Sequence, residues 1–132
     1  MNLRLRTVQC GAPRKRGEGL RIGVVRLLPR GVYKKDYAKL DFFDVWLPIL
    51  APSRELMKWA KGQAEFTPQV WKKFEASYRR EMDKTDARQV IQLLAELAKT
   101  TPIAIGCYCP DEAHCHRSIL KELIVEAAKG AK

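Results

Sequence analysis

The 132-residue chain is 46% apolar and 30% charged and carries a net charge of +10, the balance of a globular domain with room for a hydrophobic core. No apolar run approaches the roughly 20 residues of a membrane span, and Met1–Thr7 lacks the apolar stretch of a secretory leader. Membrane and secretory roles are therefore excluded at this level, and one cytoplasmic domain over residues 1–132 is expected.

The chain opens with Leu3-Arg-Leu-Arg-Thr-Val-Gln9, whose alternation of apolar and polar residues predicts a strand. Residues 11–19 are rich in glycine and charge and predict a loop, without the Lys-Ser/Thr of a phosphate-binding P-loop. Leu20–Leu28 predicts a second strand ending at Pro29, with Arg26 near its carboxyl end and Arg30 in the next turn. Residues 36–51 fit either a short strand near 43–47 or an irregular apolar segment, since Pro48 and Pro52 forbid one long helix.

Ser53 is a good N-cap for a helix that Gly62 ends. Thr67-Pro68 predicts a second helix start. It is followed by Trp71, Phe74, Tyr78 and Met82 at helical spacing, which reads as a core face rather than a base-stacking platform. Asp86 is the expected cap of a third helix with the stripe Ala87, Val90, Ile91, Leu94, Leu97 and Ala98. A central strand over 102–108 and a last helix over about 116–129 complete an α/β fold, with a small, mostly parallel sheet flanked by helices.

Residues 1–35 hold ten Lys or Arg and one acid, Glu18, whereas the remainder is nearly balanced. A basic face of this kind points to an anionic partner such as a phosphate ester, a nucleotide or nucleic acid, or it is a solvated surface.

The densest chemistry lies between the last strand and the last helix. Cys107-Tyr-Cys109-Pro-Asp-Glu-Ala-His114-Cys115-His116-Arg117 holds three of the four cysteines and both histidines. Open α/β sheets put ligand sites at the carboxyl ends of their strands, and the first N–H groups of the following helix attract anions. Three chemistries fit. Cys107, Cys109, His114 and Cys115 have the donor types of a zinc site, although they are more crowded than paired CxxC knuckles. Cys109 or Cys115, with His116 as acid/base partner, could act as a nucleophile, its thiolate favoured by the helix start and Arg117. This resembles in outline the strand–loop–helix of rhodaneses and cysteine phosphatases, but without their Cys-x5-Arg spacing. Arg26, Arg30 and Arg117 could instead bind a small anion together with His116. A bland alternative has the cysteines packed in the core and His116 and Arg117 capping carbonyls. Pairing of Cys109 with Cys115 stays open, and Cys10 reads as a small core residue.

Arg26-Leu-Leu-Pro-Arg-Gly31, Trp46-Leu-Pro-Ile-Leu-Ala-Pro-Ser53, Leu56, Trp59, Trp71-Lys-Lys-Phe74 and Tyr78 resemble, in order and spacing, the DUF488 family, in particular its YeaO-like branch. Cys115-His116-Arg117-Ser-x-Leu120 resembles the Cys-His-Arg signature of other members. The resemblance spans nearly the whole chain and implies a compact α/β domain with a site joining Arg26, Arg30, His116 and Arg117. This chain departs from the branch in carrying the cysteine cluster and in having Val25 where an aspartate usually precedes the first arginine.

The leading expectation is a protein that binds a small anionic ligand at the strand–helix junction, with possible cysteine and histidine chemistry. The alternatives are a nucleic-acid-binding module using the basic N-terminal third, Arg14, Lys15 and Arg16 included, and a zinc-binding protein.

Overall fold

The computed structural model describes residues 3–130. Four strands, β1 (Leu5–Gln9), β2 (Leu20–Gly23), β3 (Val45–Trp46) and β4 (Ile103–Cys107), form one sheet in the order β1-β4-β2-β3. Every strand pair is parallel. The expected α/β class is found, and the sheet is wholly rather than mostly parallel. β4 is central and flanked on both sides, so it is the most apolar: Ile103, Ala104, Ile105 and Gly106 are all buried.

Two of the four helices start at the caps written in the sequence. α1 (Arg54–Lys61) starts at Ser53, whose hydroxyl accepts the Leu56 N–H at 3.1 Å, and stops at Gly62. α2 (Pro68–Met82) starts at Thr67, whose hydroxyl accepts the Val70 N–H at 3.2 Å, with Pro68 at its first position. α3 (Thr85–Leu97) has its N-cap at Lys84, two residues before the Asp86 that the sequence offers as the cap. Asp86 instead lies inside the first turn, where its charge complements the helix dipole, and Lys84 is the uncapped N-cap residue. α4 (His116–Ala128) closes the fold.

Ile22, Val24, Ile103 and Ile105 pack against Leu56, Phe74, Tyr78, Ile91, Leu94, Ile119, Leu120 and Ile124 in one core to which all four helices contribute. Each such side chain contributes about 1.5–3 kcal/mol by leaving water. The aromatic stripe of α2 is core, as its spacing predicted. The Tyr78 hydroxyl donates to the Leu50 carbonyl at 2.7 Å, so its one polar atom is satisfied.

Arg21, next to Ile22 on β2, alternates to the opposite side, where loops rather than helices cover the sheet. Its side chain is fully buried. It donates to both Glu18 carboxylate oxygens at 2.8 and 2.9 Å and to the carbonyls of Ala12 and Asp41. One guanidinium thereby fastens the 11–19 loop and the 37–41 turn onto the sheet. A second small core, Cys10, Val25 and Phe43 with Tyr37, Phe42, Cys107 and Tyr108 beside it, sits toward the carboxyl end of the strands. A Cβ on Gly106 would approach the Cys10 sulfur to 2.8 Å, so the bare glycine is what lets Cys10 lie against β4.

Candidate functional site

β2 ends at Gly23, well before the Leu28 end that its apolar run predicted. The Val24 N–H still donates to Gly106 at 2.9 Å. Thereafter side chains take the ladder's acceptors. His116 Nε2 bonds the Val24 carbonyl at 2.6 Å, and the Trp46 indole donates to the Val25 carbonyl at 2.7 Å. A carbonyl only accepts, so the His116 proton sits on Nε2. In the neutral ring Nδ1 then presents its lone pair, 3.8 Å from the Cys115 sulfur. Tyr78 meets the His116 ring edge to face, with centroids 5.5 Å apart, and fixes its plane.

The Cys107 sulfur, the Cys115 sulfur and a His116 ring nitrogen lie within 4.8 Å of one another. Cys107 ends β4, and Cys115 and His116 begin α4, so the strand–turn–helix connection itself closes the group. The Cys115 thiol, its sulfur within 4.8 Å of Cys107, lowers the Cys107 thiol pKa when it acts as a hydrogen-bond donor, with the Cys109 backbone and the Arg117 charge adding to the effect against the cost of burial. The same bond, together with burial, pushes Cys115 up to about 12. Burial lifts Cys10 to about 11, and burial also raises Cys109. Among the four, Cys107 alone is tuned toward the thiolate.

Arg117 lies in the first turn of α4 and is 4% exposed. Its Nη1 donates to the Cys109 carbonyl at 2.6 Å and approaches the Cys115 sulfur at 3.4 Å, while its Nε–H is buried without a partner. No carboxylate pairs with it among the described residues. A buried cation in that position is costly unless an anion lies near, and the adjacent sulfurs are the groups able to supply one.

The other residues singled out in the sequence lie as follows. Arg26 donates to the Ala51 and Pro52 carbonyls at 3.2–3.3 Å, closing the turn before α1. Arg30 is exposed on the following loop. Of the arginines expected to converge, only Arg117 touches the sulfur cluster. Cys109 turns toward the Asp111 carbonyl at 3.6 Å. His114 is exposed, bonded to Asp111 at 2.9 Å and packed edge-on against Trp71, so it stands apart from the group of donors that includes His116. In the basic N-terminal third, Arg14 pairs with Asp41 and Asp44, whereas Lys15 and Arg16 are exposed.

The sequence offers Cys107 only as a metal ligand. The available signal was parity along β4, which puts residue 107 on the same side as Ile103 and Ile105 and hence toward the start of α4. Among the described residues no helix is long and apolar enough to cross a membrane.

The family model for the active DUF488-N3 subclade matches residues 5–128. Uncharacterized proteins of Mycobacterium bovis and Mycobacterium tuberculosis are 26% identical over 107 residues, 81% of this chain and 81% of each relative. No solved structure matches. The matched segment runs from the first residue of β1 to the last of α4, sulfur cluster included, and the chain belongs to the DUF488 family.

Proposed function

We propose that this DUF488 protein is a cysteine-dependent enzyme in which Cys107 is the nucleophile. Cys115 donates a hydrogen bond to its sulfur, Arg117 supplies the buried positive charge beside it, and His116, oriented by the Val24 carbonyl, is the acid/base partner of the pair. The observation that carries this reading is the grouping of Cys107, Cys115 and His116 within 4.8 Å, against a guanidinium that has no carboxylate partner among the described residues. A thiolate attacks where a thiol does not. The first turn of α4 has no side-chain cap, so its N–H groups suit an anionic portion of the substrate. The substrate class that fits is thus a small anionic electrophile such as a phosphate ester.

Iodoacetamide modification, read residue by residue by mass spectrometry near neutral pH, tests the assignment. Cys107 is expected to react first, Cys10 and Cys115 to resist, and Cys115→Ala to slow Cys107 several-fold by removing its donor. Faster modification of Cys109 than of Cys107 would remove Cys107 from the role.

One observation favours a second reading. His116 gives its Nε2–H to a backbone carbonyl and leaves Nδ1 free, the arrangement typical of metal-bound histidine. Cys107, Cys115 and His116 would then hold zinc through three donors, with an open fourth position. The guanidinium beside Cys115 argues against a second cation there. Elemental analysis decides: one equivalent of zinc per chain, lost in His116→Ala, would replace the metal-free thiolate with a zinc centre.

A further inference from the structure

Beside this site runs a loop whose base is fastened and whose tip is not. The Val24 carbonyl is held by His116, the Val25 carbonyl by Trp46, the Arg26 side chain by Ala51 and Pro52, and the Leu27 carbonyl by the Tyr108 hydroxyl at 2.9 Å. Tyr108 stands between Cys107 and Cys109, so the last of these bonds seats the loop at the edge of the sulfur cluster. From Leu27 to Lys35 the chain is largely exposed, and it ends in a short turn over Lys34–Asp36.

The exposed segment is at once basic, aromatic and apolar. Leu27 is 53% exposed and Tyr33 76% exposed, with Leu28, Arg30, Lys34 and Lys35 also exposed. The Lys35 ammonium lies over the Tyr33 ring, 5.8 Å from its centroid. No acid occurs between Glu18 and Asp36. Large apolar side chains left outside on a fastened loop, with cations among them, mark a surface that something covers.

We infer that residues 27–35 bind single-stranded nucleic acid, with Tyr33 stacking on a base and Arg30, Lys34 and Lys35 contacting phosphates. The combination of a solvent-exposed ring with cations around it, one of them over a face, selects this occupant. An acidic peptide offers carboxylates but no face for Tyr33, and a duplex keeps its bases stacked away from a side chain of this kind. The basic segment expected from sequence to bind nucleic acid, around Arg14, is a poorer choice because Arg14 is already paired with Asp41 and Asp44. The inference does not depend on the chemistry at Cys107.

Fluorescence anisotropy with a labelled oligothymidine of about 12 nucleotides tests it on the full chain. Binding is expected at low salt, with log affinity falling by about 0.7 per contacted phosphate for each unit of log salt. Arg30→Ala/Lys34→Ala/Lys35→Ala should flatten that slope by about 2. Tyr33→Ala should weaken binding about tenfold, whereas the exposed pair Lys72→Ala/Lys73→Ala should leave it unchanged. The inference is overturned by an absence of binding at low salt, by an equal loss in the control pair, or by a polyglutamate peptide that competes as well as unlabelled oligonucleotide. None of these outcomes bears on the alkylation of Cys107, so the two readings fail separately.

Discussion

Glu18 and Arg21 form the most consequential pair outside the site. Their side chains are 2% and 0% exposed, and the guanidinium also holds two backbone carbonyls. Burial acts to raise the Glu18 carboxyl pKa, but the Arg21 hydrogen bonds overcome it and the net direction is down. A group depressed in the folded state stabilises above its unfolded value and loses that contribution as pH falls through the folded one. Glu18→Gln leaves a buried guanidinium without its anion, and chemical denaturation should register a loss of about 3–5 kcal/mol. A loss below about 1 kcal/mol would mean that water reaches the pair. In the sequence Arg21 was only one cation of a strand, because nothing local shows that it meets carbonyls at positions 12 and 41. The strongly basic character of residues 1–35 is partly spent in this way, on structure.

Elements governed by neighbouring residues were legible, and elements ended by distant ones were not. Ser53, Thr67 and Pro68 marked helix starts that the structure repeats, since a cap acts within three positions. Ser53 does more than cap α1. Its N–H and hydroxyl both bond the Glu81 carboxylate near the end of α2, tying the two helices together. Ser53→Ala should cost at least about 1 kcal/mol in thermal or chemical unfolding, and a neutral effect would show that the cap is dispensable. β2, in contrast, stops at Gly23 although its apolar run continues to Leu28. His116, 92 positions away, takes the Val24 carbonyl that would have continued the ladder. The location of the sulfur cluster at a strand–turn–helix junction was readable from spacing. Which sulfurs face one another was not, because it depends on where α4 starts relative to the end of β4.

Across the whole molecule, buried thiols make stability fall at alkaline pH. Cys10 and Cys115 are raised from an ordinary 9.0 to about 11 and about 12. Above pH 9 the unfolded chain releases these protons while the folded chain retains them, so unfolding is favoured progressively up to about 12. Denaturation midpoints should therefore drop as pH rises from 9, and Cys10→Ala should reduce the drop. A midpoint that stays flat through this range would show that the thiols are solvated. Cys107 contributes with the opposite sign, being lowered, and this contrast with Cys115, whose sulfur lies within 4.8 Å of it, is what the proposed nucleophile rests on. The most direct test of that claim is the pH profile of Cys107 alkylation in the unmodified protein. The rate should rise to its plateau with a midpoint below 9.0, the ordinary thiol value, and Cys115→Ala should move the midpoint upward. A midpoint at or above 9.0, unmoved by that substitution, would contradict it.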